Sequence, residues 1–367
     1  MKIGYDAKRL YCNFTGLGNY SRTLVGNIIK LFPQDELYLY TPKRKIPDIK
    51  GAITRMPHSK HPFWRSLGVI KDLKRDGVEI FHGLSHDLPF GIHRSGIKSV
   101  VTIHDVCYRT FPEMFPLVER IIYGIKYRHS CRRADKIIAI SESTKRDIIR
   151  YFGTSADRIE VVYQSINPIY YEQQENPREK LKNYNLPEKY ILYVGSLNSR
   201  KNLLGLLEAY VMLPKEHRLP MVVVGNGSSY KDKVLKFIDD NLISDQIIML
   251  DSVRDTQTLQ AFYQCAELFV YPSFYEGFGL PVTEALLSGT PVITSNVSSL
   301  PEAGGDGALY IDPAEPREIS AAISRVLSDD ELRKSMVARG LEYARATFSP
   351  DKLTREVRII YEKLGKQ

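Results

Sequence analysis

Short apolar runs alternate with amphipathic stretches along the whole chain. In the first half, Lys2 to Tyr5, Glu36 to Tyr40, Ile80 to His82, Ser99 to Ile103 and Lys136 to Ala139 read as strands. Helical periodicity separates them, over Tyr20 to Leu31, Trp64 to Arg75, Leu117 to Arg133 and Ser143 to Tyr151. The second half repeats the scheme, with strands at Tyr190 to Val194, Met221 to Val224, Ile247 to Leu250, Leu268 to Tyr271 and Pro291 to Thr294. Its helices are expected at Leu203 to Met212, Tyr230 to Asn241, Thr256 to Cys265, Pro281 to Ser288 and Pro316 to Ser328. Strands that alternate with helices predict parallel sheets covered on both faces, an α/β fold. At 367 residues the chain exceeds what one core usually supports, so two doubly wound domains are expected. The polar, proline-containing stretch IYYEQQENPREKLKNYNLPEKY marks the boundary, with a linker at 171–187. A last helix from Pro350 to Leu364 shows one apolar face at Leu353, Val357, Ile360, Tyr361 and Leu364.

Charge adds an asymmetry to this plan. Residues 1–170 hold 28 Lys and Arg against 16 Asp and Glu, a net of +12, whereas residues 171–367 hold 23 against 27, a net of −4. A basic half joined to a mildly acidic one suggests a surface that meets something anionic. No recognition motif accompanies the charge, so no nucleic-acid partner is expected. Cys12, Cys107, Cys131 and Cys265 are widely spaced and read as reduced thiols. The charged opening MKIGYDAKRL is unlike a signal peptide, and no run approaches the ~18 apolar residues of a spanning helix, so a cytoplasmic protein is expected.

Ligands of doubly wound sheets bind beyond the C-terminal ends of the strands, and four such loops carry chemistry. Thr15-Gly16-Leu17-Gly18-Asn19-Tyr20 places two glycines before a helix, where free amides can receive an anion; the plainer reading is an ordinary helix start. His104 and Asp105 leave a buried strand directly into a loop, although a histidine there is also a common core residue. Arg200 and Lys201 stand at a helix N-terminus, where cations oppose the helix dipole unless an anion is shared between them. A diphosphate would suit the Arg fork, the Lys charge and the backbone amides. The fourth segment, YPSFYEGFGLPVTEALLSGTPVIT, sets Glu276 and Glu284 seven residues apart around Gly277 and Gly279. Amides of Phe278, Gly279 and Leu280 can point at an anion at that helix mouth, with a carboxylate on either side to accept vicinal hydroxyls. Ribose, diphosphate and hexose have that shape. A capping glutamate beside an exposed one is the alternative for the spacing alone.

This segment, with the Arg200-Lys201 pair, the Gly16/Gly18 loop and His104, resembles the family 4 glycosyltransferases over essentially the whole chain. The resemblance implies the GT-B fold, two facing Rossmann-like domains with the last helix crossing back to the first. The expected domains are then 1–170 with 350–367 for the acceptor and 188–349 for the donor. It also implies that Glu276 contacts hydroxyls of the donor hexose and that Glu284 holds the ribose. Arg200, Lys201, Gly16, Gly18 and the amides after Gly277 would neutralise the diphosphate. Val253 would meet the nucleobase through its backbone, and His104 would hydrogen-bond the sugar near the anomeric centre. Thr15 departs from the family pattern, standing where another glycine is common.

The implied reaction is retaining transfer of a hexose, mannose from GDP-mannose by preference over a UDP-sugar, to a glycan or lipid-linked glycan of bacterial surface polysaccharide. No Asp-x-Asp pair occurs, so metal independence is expected, with no cofactor. Readings from other classes are an epimerase of the same architecture and a non-catalytic nucleotide-sugar sensor. The acceptor belongs to the basic half, where LVERIIYGIKYRHSCRR and the tryptophan-bearing FWRSLGVIKDLKRDG suggest either solvated amphipathic helices or a surface resting on anionic lipid. The second option places the protein peripherally at the inner face of the plasma membrane.

Overall fold

The computed structural model describes residues 1–14, 16–57, 63–227, 229–251, 253 and 255–366. They form two compact units, Met1–Ser165 with Phe348–Gln367, and Ile166–Thr347. Unit 1 contains seven parallel strands: β1 (Lys2–Asp6), β2 (Glu36–Tyr40), β3 (Ile53–Arg55), β4 (Ile80–Gly83), β5 (Lys98–Ile103), β6 (Lys136–Ala139) and β7 (Ile159–Val161). Their spatial order is β3-β2-β1-β4-β5-β6-β7. Successive strand residues point to opposite faces, which divides the apolar positions between two cores. Leu37, Leu39, Ile80, Val100 and Ile138 enter one core, and Tyr38, Tyr40, Phe81, Val101 and Ile137 enter the other.

The first of these cores is completed by the C-terminal helix, Pro350–Gly365, through Leu353, Val357, Ile360, Tyr361 and Leu364. The expected return of the last helix to the first domain is therefore seen. Two polar ties fix it there. The Tyr361 hydroxyl lies 2.5 Å from His82 Nδ1, and Arg358 Nε lies 2.9 Å from Oδ2 of the buried Asp35.

Unit 2 contains β8 (Ile191–Val194), β9 (Met221–Val224), β10 (Ile247–Leu250), β11 (Leu268–Tyr271), β12 (Val292–Ser295) and β13 (Ala308–Ile311). All pair in parallel, in the order β10-β9-β8-β11-β12-β13. The strand order of each sheet reverses once, between β1 and β4 and between β8 and β11. Such switch points leave a crevice at the strand C-termini.

Several elements differ from expectation. Strands β3, β7 and β13 and the helix Asp330–Thr347 are additional. The helix expected from Tyr20 begins at Gly16, and Trp64–Gly68 is a π-helical turn leading into the helix Val69–Arg75. Residues 171–187, expected as a linker, are packed onto unit 2. Gln173 Nε2 donates to Leu287 O at 3.0 Å, and Gln174 Nε2 donates to Gln257 O at 2.7 Å and to Gln260 Oε1 at 2.8 Å. Trp64, in the stretch read either as a solvated amphipathic helix or as a surface resting on lipid, is buried and donates its indole N–H to Asp72 Oδ2 at 2.7 Å.

Candidate active site

The switch point of unit 2 gathers the charged residues. Beyond β8 the chain forms a tight turn, Ser199–Lys201, in which the Asn198 side chain accepts the Lys201 amide at 3.2 Å. Asn202 then takes a left-handed conformation, φ 56°, so the helix Leu203–Val211 starts afresh and leaves Arg200 and Lys201 outside it. Beyond β11, the next strand across the switch point, comes Glu276. Its Oε1 is 2.9 Å from Lys201 Nζ and 2.9 Å from an Arg200 terminal nitrogen. The same oxygen accepts from Tyr271 Oη and Ser273 Oγ, each at 2.9 Å, and Lys201 Nζ also donates to Tyr271 Oη. Burial acts to raise this carboxyl, but Lys201 and Arg200 hold it down at about 2. Glu276 is thus an anion at every working pH. Its Oε2 makes no hydrogen bond to a described residue and is left to accept from a ligand.

The loop that carries Glu276 is clamped from the far side. Ser298 Oγ accepts the Glu276 amide at 2.8 Å and donates to its carbonyl at 2.7 Å, and Ser299 Oγ lies 2.8 Å from that carbonyl and 2.7 Å from Phe278 O. Phe278 is buried. Gly279, rather than Gly277, takes the positive φ, at 121°, and a side chain there would press on Ala303 and Leu300 at 3.0 Å. Its turn starts the helix Leu280–Leu287, in which Pro281 has no N–H and the amides of Val282 and Thr283 donate to Gly279 O at 3.0 and 3.3 Å.

Glu284 lies about one turn into that helix in a different setting. Tyr263 Oη donates to its Oε2 at 3.1 Å. Burial pushes the carboxyl up to about 7, against the hydroxyls of Tyr263 and Tyr170. The rings of those two tyrosines meet edge to face at 6.1 Å. Val253 is half-buried in the loop beyond β10; its neighbours Ser252 and Arg254 lie outside the described residues.

Unit 1 carries the other expected residues. His104 is buried beyond β5, and its Nε2 donates to Leu84 O at 2.9 Å. Burial, then the neighbouring His86, lowers its pKa to about 3. It is therefore a neutral ring with its proton on Nε2, and Nδ1 is left as an acceptor. Gly16 and Gly18 are in the first turn of the helix Gly16–Leu31 rather than in a loop before it. The Gly18 amide is already taken by Asn13 Oδ1 at 3.0 Å, and a Cβ at Gly18 would lie 1.8 Å from Asn13 O. The glycine thus serves the close approach of its own loop, and an anion would have to compete with Asn13 for that amide. Thr15 lies outside the described residues.

Sequence reasoning missed the groups that hold these side chains. Ser298, Ser299, Tyr263 and Tyr170 carry no motif; Tyr271 and Ser273 stand in the same segment as Glu276, and the position of Tyr271 at a strand C-terminus was a usable signal. It also missed an ion cluster beyond β1 and β4, where Arg65 joins Asp6 to Asp87 at 2.5 and 2.9 Å and Lys126 reaches Asp87 at 2.8 Å. Among the described residues, no group of three or more His, Cys, Asp or Glu side chains is placed to hold a metal ion.

Two parallel sheets of this order, the second with a cationic pair and two carboxylates at its switch point, define an α/β enzyme of the nucleotide-binding kind. The chain belongs to the family 4 glycosyltransferases of the GT-B fold. Residues 29–169 match the description Glycosyltransferase Family 4, and residues 173–343 match Glycosyl transferases group 1. It is 33% identical to O-antigen chain mannosyltransferase B of Escherichia coli over 99% of this chain and 100% of that protein. It is 31% identical to the serotype-specific mannosyltransferase WbdA of Escherichia coli over 72% of this chain and 34% of that one. Among solved structures, HepE of Anabaena in complex with UDP superposes with a TM-score of 0.77 at 15% identity, covering 99% of this chain and 100% of that one. The sucrose-phosphate synthase of Thermosynechococcus elongatus gives 0.78 at 20% identity, with 99% of each chain covered.

Proposed function

We propose that this glycosyltransferase moves a hexose, with retention and without a metal ion, from a nucleoside diphosphate sugar to a glycan or lipid-linked glycan of bacterial surface polysaccharide. The observation that carries the reading is the Glu276 cluster. Two cations share a single carboxylate oxygen, so the site keeps a net positive charge and holds both cations in place before any ligand arrives. When the glycosidic bond to the diphosphate breaks, negative charge grows on the leaving phosphate. Arg200 and Lys201 are already aimed, and stabilise that charge more than the ground state; losing one such donor typically costs about 2.7–4 kcal/mol. Glu276 Oε2 accepts from hexose hydroxyls, Glu284 accepts from the ribose, and the Val253 backbone meets the base. Amides of Gly277, Phe278, Gly279 and Leu280 face the diphosphate. In unit 1, Gly16, Gly18 and His104 are assigned to the diphosphate and the sugar. Neutral His104 acts there as a hydrogen-bond acceptor through Nδ1. The acceptor's proton passes to the leaving phosphate, on which negative charge grows as the glycosidic bond breaks.

GDP-mannose is preferred as donor because the relative matched along its whole length, and others matched over 72% of this chain, are named mannosyltransferases. The net +12 of residues 1–170 supports an acceptor-side unit that rests on an anionic membrane surface at the cytoplasmic face. No helix among the described residues is long and apolar enough to cross a membrane. A thermal-shift screen with GDP-, UDP- and ADP-sugars tests the donor, because a ligand at 100 times its Kd adds about 2.7 kcal/mol. Stabilisation by UDP-sugars alone overturns GDP-mannose. Incubation with donor alone separates transfer from epimerisation: an isomerised sugar nucleotide would sink the transferase mechanism.

A further inference from the structure

The helix Leu117–Arg133 presents one unburied face to an open groove of about 420 Å³ beside the short helix Cys107–Thr110. Leu117, Ile121 and Ile125 line it at helical spacing and are 66%, 54% and 56% exposed. Arg109, Arg120 and Arg128 also line it, and none of the three is ion-paired with a described residue. Lys126 of the same helix, by contrast, is spent on Asp87. Exposed aliphatic side chains and unneutralised arginines in one groove are complementary to one kind of molecule, an anionic head on an aliphatic chain.

Gly124 supplies an independent observation. It sits in the middle of the helix on the groove wall, where glycine costs about 1 kcal/mol relative to alanine. Packing does not demand it, because a Cβ there meets only an Arg109 terminal nitrogen, at an ordinary 3.8 Å. Its missing side chain keeps the middle of the groove open.

We propose that this groove binds a single membrane lipid by its phosphate head, with Arg109, Arg120 and Arg128 around the phosphate and the first carbons of the chain laid along Leu117, Ile121 and Ile125 across Gly124. The assignment rests on the reading that unit 1 meets an anionic membrane and deepens it from a diffuse surface to a site. Bulk charge attracts any basic face; a groove discriminates between headgroups.

Vesicle flotation of the full chain tests this with phosphatidylcholine vesicles, alone or containing phosphatidic acid. Wild type should float only with phosphatidate, and less as salt rises. At roughly 1 kcal/mol per basic residue, Arg109→Gln, Arg120→Gln and Arg128→Gln together should weaken recruitment about a hundredfold. Lys43→Gln, Lys45→Gln and Lys50→Gln remove the same charge from exposed positions elsewhere in unit 1 and should leave recruitment within about threefold. Gly124→Leu, a better helix former, should keep its melting temperature yet weaken recruitment about tenfold by filling the groove. No flotation at low salt, or equal losses in the two triple variants, overturns the proposal. The donor thermal shift of the arginine variants keeps this separate from the transfer reaction: flotation without any nucleotide-sugar shift leaves the groove standing and removes the proposed donor chemistry.

Discussion

Glu276 and Glu284 belong to one segment of chain and one loop-helix unit, yet their surroundings drive them in opposite directions. Glu276 stands among Lys201, Arg200, Tyr271 and Ser273 and is held at about 2. Among the described residues Glu284 has hydroxyls but no cation beside it, and burial lifts it to about 7. The residue type therefore says little about charge. Glu276 is a fixed anion that organises two cations, whereas Glu284 changes protonation within the physiological range.

The largest effect should come from the cations that set Glu276 apart. Arg200→Ala and Lys201→Ala are expected to reduce kcat by about 10²–10³, with a far smaller change in donor KM, in steady-state assays. A rise in KM alone would mean that they bind the ground state only. Glu276→Gln should come next, lowering stability by about 2–3 kcal/mol at pH 7 in denaturant melts, because two partly buried cations lose their partner. The folded pKa of Glu276 is depressed, so its contribution is present above the unfolded value near 4.5 and is lost as pH falls towards 2.

Glu284 should behave in the reverse sense. Its folded pKa is raised, so its protonated form favours the native state below about pH 4.5 and that stability is lost as pH rises to about 7. Glu284→Gln should therefore melt higher than wild type at pH 8 and equally at pH 4. Glu284→Ala should raise the donor KM about tenfold with kcat little altered; an unchanged KM removes the ribose role. The smallest effect concerns protons. Donor binding to wild type should weaken by up to tenfold per pH unit below 7 and release a proton, seen by calorimetry in buffers of different ionisation heat, and Glu284→Gln should abolish both.

How much of this was legible in the sequence depended on how a residue's neighbours were arranged. The strands that periodicity missed, β3, β7 and β13, are all sheet edges, paired on one side only, and Ile53–Arg55 and Ala308–Ile311 are mostly half-exposed. A strand that buries one flank needs no continuous apolar run. The helix Asp330–Thr347 escaped for a related reason: its buried stripe is Met336, Gly340 and Ala344, one large apolar residue and two small ones, which leave little apolar signal. Residues 171–187 looked like a linker because most of their docking groups are glutamine amides and backbone carbonyls, with the buried Leu181 and the Tyr184 ring on Phe262 too sparse to make a periodic pattern. At the site, the cations, glycines and glutamates were readable from their order along the chain. The hydroxyls that give the two glutamates opposite character were not: Tyr263 and Tyr170 reach Glu284 from other elements, and although Tyr271 and Ser273 stand close to Glu276 in the chain, nothing in their order shows that they turn back onto its carboxylate.

The return of the Pro350–Gly365 helix to unit 1 has a consequence for how the molecule is made. Leu353, Val357, Ile360 and Tyr361 fill one of the two cores of the first sheet, so residues 1–165 emerge from the ribosome long before that core can close. The segment 166–347 is contiguous and has all its own partners in hand while the earlier part still waits. Synthesis order and folding order are therefore expected to be inverted, with the earlier-made half exposing Tyr5, Leu24 and Ile28 to chaperones until the last turn of the chain arrives.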